Sequence, residues 1–439
     1  MLKAINQQGS LFELGGIPEI SKVVPLSFQH VLAMIAGCVT PSLIIANVAG
    51  INSGDKVLFV QAALVVAAIS TMFQLFPICK FFGSGLPMIM GVGFGFVPSL
   101  QAIASGYGIS AIFGAQLVGG IIAVIVGVFI KQIRRFFPPI VTGTVVFTPG
   151  LSLYPTAINY MAGGAGSPEF GSAKNWIVAI LTLCVVIFLN HYTKGILKLA
   201  SILLGMCAGY VLAFFMGMVD FSSVASASYF ELPKLMYFGV DFEISTCIAL
   251  SILFIINSIQ CMGDMTATTM GGLNRQPTDT ELKGGIIAYG VTNAVGGLFG
   301  GLPTATYSQN VGIVTTTKVV NRTVIGLTTV ILLLAGIFPK ISAILTTIPQ
   351  CVLGGATISV FASIAMTGIK LITSDGLSAR NAAIVGLAVA LGMGLTQVPQ
   401  SLAMFPEAIT MIFAKTPIVV ATIVAIFLNI ILPKEDEVK

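Results

Sequence analysis

The sequence predicts an all-α polytopic membrane protein with 14 transmembrane segments, arranged as two inverted repeats of seven segments. Three observations predict this class: a very apolar composition, an uneven distribution of basic residues across the predicted spans, and two pairs of short motifs that recur at nearly one offset. Only 8% of the 439 residues are charged and the mean hydropathy is +1.00, whereas a soluble domain carries about 25% charged residues.

Apolar runs of roughly 20 residues, the length at which a helix crosses a bilayer, recur along the whole chain. The third and tenth runs are weak helix candidates, because both open on Gly-Leu-Pro. The predicted spans are 25–46, 57–79, 84–103, 111–130, 139–158, 175–190, 195–217, 245–263, 284–300, 301–317, 321–338, 343–366, 381–398 and 415–432.

The basic residues support this count and fix an orientation. With a cytoplasmic N-terminus and alternating spans, 16 of the 21 basic residues fall inside and the other five fall outside (16 + 5 = 21). The five outer residues are Lys56, Lys174, Lys234, Lys340 and Lys415. This positive-inside bias predicts a multi-pass protein of the inner (plasma) membrane with both termini cytoplasmic. Because the net charge of +5 is carried by short loops, no nucleic-acid partner is predicted.

Two motif pairs indicate an internal duplication. "GLPMIMGVGFGFV" begins at Gly85 and "GLPTATYSQNVGIV" begins at Gly301, an offset of 216, while "PPIVTG" at Pro138 and "PQCVLG" at Pro349 are 211 apart. Two matches in the same order, near half the chain length, predict two structural repeats. Since seven spans per repeat is an odd number, the second repeat enters the membrane from the opposite side, as in many secondary transporters.

The paired Gly-Leu-Pro segments are also the expected binding site. Irregular backbone at membrane depth survives only inside protein or along a cavity, and matched broken segments in two repeats typically mark a transporter's site. We expect 85–97 and 301–314 each to form a short extended piece followed by a half-helix, whose free N–H groups bind acceptor atoms of a polar ligand. The alternative is two kinked helices that pack through glycine.

A polar stripe follows the eighth span. Asn257, Gln260, Asp264 and Thr268 occur at i, i+3, i+7 and i+11, which places them on one helix face turned away from lipid. Polar groups inside a membrane helix favour function, although amides such as Asn257 also bridge helices. In the first span, His30 beside Gln29 is a candidate either for ligand contact or for a supporting hydrogen bond.

The same residues argue against enzyme chemistry. The sequence shows no nucleophile with a base and an orienting group, no His/Cys/carboxylate cluster for a metal, and no phosphate-binding loop. The seven cysteines are scattered through apolar runs, which favours packing over disulfides. We therefore predict a protein that is not an enzyme and that binds neither metal nor cofactor.

Several segments together identify a family resemblance. "QNVGIVTTTK", residues 309–318, resembles the signature Gln/Glu/Pro-Asn-x-Gly-x-x-x-x-Thr-Arg/Lys/Gly of the nucleobase–ascorbate transporter family. "FQHVLAMIAG" in the first span resembles its Gln-His motif, and "MGD" at 262–264 resembles its motif in span eight. "LASILLG" and "FFPPIVTG" also have counterparts in that family. The resemblance covers nearly the whole chain and points toward bacterial xanthine and uric acid permeases.

The resemblance implies a fold of two domains with short β-strands in segments 3 and 10. A core domain comprises spans 1–4 (residues 1–130) and spans 8–11 (residues 244–338). A gate domain comprises spans 5–7 (residues 131–243) and spans 12–14 (residues 339–439). Many members of the family form dimers through the gate domain, so a homodimer surrounded by membrane lipid is expected.

The resemblance also implies roles for individual residues. Substrate is expected between the strands and span eight, where Gln309 faces the base and Ser308 and Phe94 offer backbone N–H groups. Asn310 is expected to brace the site, and His30 to support it from span one. A signature that begins with Gln resembles the signatures of purine transporters, for xanthine or uric acid, more than those of uracil or ascorbate carriers.

Two positions depart from the family pattern. Gln260 stands where relatives usually carry Glu, and Tyr289 stands where an acidic residue occurs in span nine. A carboxylate only accepts hydrogen bonds and titrates, whereas Gln accepts and donates and cannot titrate. Asp264, helped by His30, is therefore the leading candidate for proton coupling.

These residues predict secondary active import of an oxopurine, xanthine or uric acid, with protons (or sodium) by alternating access. The alternatives are a facilitator or symporter for uracil or another nucleobase, and an anion transporter of the same architecture.

Overall fold

The computed structural model describes residues 10–78, 81–374 and 376–433, without the side chains of residues 407 and 408. The termini predicted to be cytoplasmic lie at 1–9 and 434–439, outside the described residues, as do Cys79 and Lys80.

The described residues of the first half form eleven helices and one strand, with two 3₁₀ turns at Phe94–Phe96 and Arg134–Phe136. These elements are α1 (Ile20–Val48), α2 (Ser53–Leu75), β1 (Met90–Val92), α3 (Val97–Tyr107), α4 (Ile109–Val128), α5 (Ile130–Ile133), α6 (Pro139–Ser152), α7 (Tyr154–Met161), α8 (Ala173–Tyr192), α9 (Ile196–Leu199), α10 (Ser201–Phe215) and α11 (Ser222–Ser226).

In the second half, the part of the chain that the structure describes forms nine helices and one strand, with a 3₁₀ turn at Pro399–Leu402. These elements are α12 (Ile244–Leu273), α13 (Asp279–Leu298), β2 (Thr304–Thr306), α14 (Ser308–Thr317), α15 (Arg322–Ile337), α16 (Pro339–Thr346), α17 (Gln350–Thr373), α18 (Ala379–Gln397), α19 (Glu407–Ala414) and α20 (Pro417–Ile431).

Within the described residues, seven helices are long and apolar enough to cross a membrane. The number rises to nine if each of two helix pairs bent by 80° counts as one span; these pairs are Ile130–Phe136 with Pro139–Met161, and Arg322–Ile337 with Pro339–Thr346. The seven are α1, α2, α4, α8, α12, α17 and α18.

The predicted boundaries of the twelfth span, 343–366, were wrong. Residues 339–346 form the separate helix α16, and the long helix α17 begins only at Gln350. Pro349 explains the shift, because a proline disfavours helical backbone at the preceding residue and suits a helix start.

The helices pack as two groups. In the first group, α4 packs against α12 and α13, and α15 packs against α1 and α2. In the second group, α17 packs against α6, α7 and α8, while α20 packs against α6 and α18. The short helix α16 lies against α2 and α15 of the first group. We call α1–α4 with α12–α15 the first helix group, and α5–α10 with α17–α20 the second helix group.

The two strands pair with each other inside the first helix group. β1 and β2 are antiparallel, with Met90 opposite Thr306 and Val92 opposite Thr304. Every residue of both strands is buried. Both strands follow Gly-Leu-Pro, where proline cannot donate a helical hydrogen bond, so the chain runs extended before each half-helix begins.

A two-stranded sheet at membrane depth has two open edges, and side chains from neighbouring helices satisfy them. On the β1 edge, the Met90 N–H donates to Thr71 Oγ1 of α2 at 2.9 Å. On the β2 edge, the Thr304 N–H donates to Asn293 Oδ1 of α13 at 2.7 Å. These bonds replace the water that is absent from hydrocarbon. The sheet can therefore exist inside the protein without further strands.

Candidate functional site

A cavity of about 280 Å³ lies between the two helix groups, where β1 and β2 end. Both groups contribute polar side chains to its walls. Those of the first group are Thr40, Asn257, Gln260, Thr306, Tyr307, Ser308 and Gln309. Those of the second group are Thr142, Thr357, Ser363 and Thr367. The remaining wall is mainly apolar, so the cavity combines a few hydrogen-bonding groups with apolar surface, as small-molecule sites do.

Two half-helices begin at this cavity. The turn Phe94–Phe96 leads into α3, and Ser308 is the first residue of α14. The first N–H groups of a helix have no intrahelical partner and carry the positive end of the helix dipole. The backbone of Phe94 and that of Ser308 therefore present donors at the cavity wall, suited to carbonyl oxygens or an anionic ring.

Gln260 and Gln309 supply side-chain amides to the same cavity. Gln309 is exposed and Gln260 is half-buried. Among the described residues, neither amide has a hydrogen-bond partner, whereas the neighbouring Asn257 amide donates to Leu253 O of its own helix at 3.0 Å. Both glutamine amides are thus available to a ligand, each with donor and acceptor capacity. Asn257 lines the cavity with its donor already engaged.

Asp264 lies directly behind the cavity wall. Its carboxylate accepts a hydrogen bond from Ser308 Oγ at 2.9 Å and another from Thr306 Oγ1. Asp264 is 9% exposed as a whole residue, and no basic residue pairs with its carboxylate among the described side chains. Because Ser308 starts α14 and Thr306 ends β2, a change in the charge of Asp264 acts directly on the segment that carries Gln309.

His30 and Asn310 form a pair farther from the cavity. Asn310 Nδ2 lies 3.1 Å from His30 Nδ1 and donates to His30 O at 3.2 Å. Both residues are buried, and neither lines the cavity. The pair ties α14 to α1, which places His30 in a supporting position and not at the cavity surface.

The apolar part of the wall is mostly aliphatic, and Phe94 adds an aromatic ring to it. Phe94 is 8% exposed and meets Phe361 of α17 edge to face, with ring centroids 5.5 Å apart. This contact joins the first helix group to the second beside the cavity. Phe94 therefore supplies aromatic surface to the cavity, of the kind against which flat ring systems pack.

The cavity is asymmetric with respect to the two ends of the helices. It reaches Phe137 and Thr142, at the start of α6. At the opposite end, Tyr160 of α7 lies 3.4 Å from both Asn47 Nδ2 and Ile44 O of α1. There the two helix groups touch, so the cavity extends toward the side on which α1 and α6 begin.

The structure brings together Gln260, Gln309, Ser308 and Phe94, four of the predicted site residues, at one cavity. It places Asp264 directly behind them and the Asn310–His30 pair farther from the cavity. Sequence reasoning missed Thr306 and Tyr307, although both stand in the same polar segment. Their adjacency to the signature at 309–318 was the available signal.

Comparisons with known proteins agree with this geometry. A model described as "Permease family" matches residues 21–401. The chain is 37% identical over 413 residues to the xanthine permease of Bacillus subtilis, covering 93% of each protein. It is 37% identical over 410 residues to the uric acid permease PucK of the same organism, covering 93% of this chain and 95% of the permease.

Solved structures show the same fold at low identity. The transmembrane domain of a cyanobacterial bicarbonate transporter, BicA, superposes with a TM-score of 0.62 at 14% identity, covering 93% of this chain and 98% of that domain. The murine Solute Carrier 26 family member A9 anion transporter gives a TM-score of 0.61 at 10% identity, covering 93% of this chain and 68% of that one. The family model and the full-length identities together show that this multi-pass membrane protein belongs to the nucleobase–ascorbate transporter family of permeases.

Proposed function

We propose that this chain is a secondary active transporter that imports an oxopurine nucleobase, xanthine or uric acid, together with protons by alternating access. The observation that carries the proposal is the cavity at which two half-helix N-termini meet the free amides of Gln260 and Gln309. An oxopurine offers several ring N–H groups and carbonyl oxygens on one flat edge. The relatives named xanthine permease and uric acid permease support this substrate class.

In this proposal, the base lies between Phe94, Gln260 and Gln309. The backbone N–H groups of Phe94 and Ser308 donate to its carbonyl oxygens, while the two glutamine amides pair with its donor and acceptor atoms. Asn310 and His30 hold α14 against α1 and do not touch the base. The volume of about 280 Å³ lies just below the usual range for small-molecule sites, about 300–1,000 Å³, which fits a small bicyclic ligand.

Asp264 is the proposed proton carrier, with His30 in a supporting role. The carboxylate contacts the hydroxyls of Thr306 and Ser308, so its protonation alters the hydrogen bonding of the segment that presents Gln309. Coupling then requires no carboxylate in contact with substrate. Sodium is the alternative coupling ion.

The proposed architecture has 14 segments in two inverted repeats. The core domain comprises residues 1–130 and 244–338, and the gate domain comprises residues 131–243 and 339–439. The antiparallel pairing of β1 with β2 supports it, because these strands lie in the two matched Gly-Leu-Pro segments. The protein is proposed to be a homodimer in the inner membrane, with both termini cytoplasmic. The cavity then opens to the cytoplasm and the Tyr160 contact closes the outer side.

Uptake of radiolabelled xanthine and uric acid by a host strain that lacks its own purine permeases tests the substrate class. We expect saturable uptake that competes with unlabelled oxopurines and depends on the proton gradient. Absence of uptake for every nucleobase, with the protein shown by immunoblot to be in the membrane, contradicts the proposal. Inhibition by chloride or bicarbonate instead of oxopurines identifies an anion transporter.

A facilitator is the second candidate, because Gln260 and Tyr289 occupy positions at which a carboxylate is expected for coupling. A proton ionophore separates the two candidates. In a symporter the ionophore abolishes accumulation above the external concentration, whereas in a facilitator it leaves the uptake of substrate unchanged.

A further inference from the structure

Tyr307 connects β1 with the start of α14 through its backbone. Its N–H donates to Ile89 O, just before β1, at 3.0 Å. Its carbonyl accepts the N–H groups of Asn310 at 3.0 Å and Val311 at 3.1 Å, which completes the first turn of α14. The position of α14 is therefore tied to the beginning of β1 through one residue.

The Tyr307 side chain reaches the other end of β1. Its hydroxyl donates to Val92 O at 2.9 Å. Since Gly93 N–H and Ile89 O bond toward the other strand, the alternation of an antiparallel ladder directs the Val92 carbonyl away from β2. Tyr307 thus binds one edge of β1 with its backbone and the opposite edge with its hydroxyl, and Val92 lies only two residues before Phe94.

Two glycines make room for the ring to cross the strand. A Cβ at Gly91 would lie 2.6 Å from Tyr307 Cζ, and a Cβ at Gly37 of α1 would lie 3.1 Å from Tyr307 Cε2. The first distance is too short for any side chain, and the second requires a shift of a few tenths of an ångström. The ring, only 7% exposed, is clamped between α1 and β1.

We propose that Tyr307 is a positioning residue for substrate binding: its hydroxyl bond to Val92 O sets the distance between the backbone donors of Phe94 and Ser308. This inference rests on the proposed function, in which those donors contact the oxopurine. Loss of the hydroxyl frees the β1 edge and lets the Phe94 donor move relative to Ser308. The residue acts through the backbone, so it alters affinity more than the rate of the transport cycle.

The test compares Tyr307→Phe with Tyr289→Phe. Both tyrosines are buried, but the Tyr289 hydroxyl has no hydrogen-bond partner among the described residues. We expect Tyr307→Phe to raise the KM for uptake, and the Kd of purified protein for xanthine, about tenfold, the effect of one lost buried hydrogen bond. The maximal rate should change less than about twofold, and Tyr289→Phe should leave KM and Kd within about twofold of wild type.

The ratio of the Kd values for two ligands is a further measurement, and general destabilisation of the protein should not change it. Misplaced donors should weaken the binding of xanthine more than that of hypoxanthine, which has one carbonyl fewer. The ratio of their Kd values should therefore change in Tyr307→Phe and not in Tyr289→Phe. Gly37→Ala, which displaces the ring and keeps its hydroxyl, should give a smaller rise in Kd in the same direction. If Tyr307→Phe fails to reach the membrane, Gly37→Ala takes its place in the test.

Three results would overturn the inference. An unchanged Kd in folded Tyr307→Phe shows that the hydroxyl does not position the donors. An equal rise in Tyr289→Phe shows that loss of any buried hydroxyl has this effect. If the wild type binds no nucleobase, the proposed function fails and the inference fails with it. That result differs from one in which the wild type binds xanthine and Tyr307→Phe binds it equally well, which overturns the inference alone.

Discussion

At the residue scale, the proposed recognition of substrate depends on amides that have no described hydrogen-bond partner. Gln260 and Gln309 line the cavity without a described hydrogen-bond partner, while Asn257 lines the same wall with its amide bonded to Leu253 O. An unpaired amide at a cavity wall is costly unless water or a ligand satisfies it. The pattern separates the residues proposed to bind substrate from a polar residue that lines the cavity with its amide already engaged.

Gln260→Leu is expected to raise the KM for xanthine uptake at least tenfold. The change removes a donor and an acceptor, each worth about 1 kcal/mol in a typical hydrogen bond, and leaves the volume of the side chain nearly unchanged. The matched control is Asn257→Leu, one turn earlier in α12, which should change KM less than about threefold because its donor already bonds to its own helix. Equal effects in both variants would rule out the assignment of Gln260.

Asp264→Asn is expected to retain substrate binding while losing proton-driven accumulation. Asparagine has the same shape as aspartate and still accepts a hydrogen bond from Ser308 or Thr306, but it cannot titrate. Kd for xanthine should remain within about threefold of wild type, because one of the two hydroxyl bonds is weakened, the other is replaced by a bond in which the amide NH2 donates, and the contacts to substrate persist. The ratio of internal to external xanthine, measured across external pH values, should fall to one.

Persistence of pH-dependent accumulation in Asp264→Asn would contradict the coupling assignment. His30→Asn is the comparison that shows whether His30 causes any pH dependence left in Asp264→Asn, because among the described residues the His30 ring hydrogen-bonds only with Asn310.

Several of these residues were predictable from the sequence, and the reasons differ. Gln260 and Asp264 were identified by helical spacing alone, since polar groups at i and i+4 share one face. Thr306 and Tyr307 were not, because their partners lie 42 residues away at Asp264 and 215 residues away at Val92. Contacts between segments so distant in sequence depend on how the two halves pack, which a local pattern does not contain.

At the scale of secondary-structure elements, the two-stranded sheet depends on side chains of the neighbouring helices. Three-residue strands have little stability of their own, and β1 and β2 each have an edge that faces a helix. Thr71 and Asn293 complete those edges at Met90 and Thr304. Gly-Leu-Pro predicts where each helix is interrupted, but it does not predict which side chains satisfy the freed backbone.

Thr71→Val is expected to destabilise the protein and weaken binding, because it leaves the Met90 N–H buried without an acceptor, at a cost of about 1–3 kcal/mol. The apparent melting temperature in detergent should fall by several degrees, and the Kd for xanthine should rise. Thr329→Val is the control, since within the described part of the chain the Thr329 hydroxyl bonds only to Ile325 O of its own helix. If both variants lower the melting temperature equally, the hydrogen bond from the Met90 N–H to Thr71 contributes no more to stability than an ordinary bond within a helix.

At the scale of the whole molecule, the contacts between the two helix groups are unequal at their two ends. On one side the cavity reaches Phe137 and Thr142. On the other, Tyr160 touches α1, and Thr156 Oγ1 donates to Gln101 Oε1 of α3 at 3.3 Å. Lys56 reinforces this end by donating to Asn47 Oδ1 at 2.7 Å. In the proposed orientation, alternating access requires the bonds of Tyr160 and Thr156, which join the two helix groups, to break when the outer side opens.

Tyr160→Phe is therefore expected to shift the protein toward the outward-open state. The hydroxyl makes two long bonds, to Asn47 Nδ2 and Ile44 O, both at 3.4 Å. Their loss should change the balance of states about threefold, somewhat less than one well-formed hydrogen bond would. The measurement is the rate at which a membrane-impermeant maleimide, added outside, labels a cysteine introduced at Val360 on the cavity wall.

Tyr154→Phe is the matched control for this labelling experiment, because Tyr154 starts the same helix and makes no described hydrogen bond through its hydroxyl. Saturating xanthine should slow labelling in every variant, since bound substrate covers the cavity wall. Faster labelling in Tyr160→Phe alone links the outer contact to access. An unchanged rate in Tyr160→Phe, with normal labelling of the same cysteine in permeabilised cells, would mean that the apolar packing of α7 on α1 closes the outer side without the tyrosine hydroxyl.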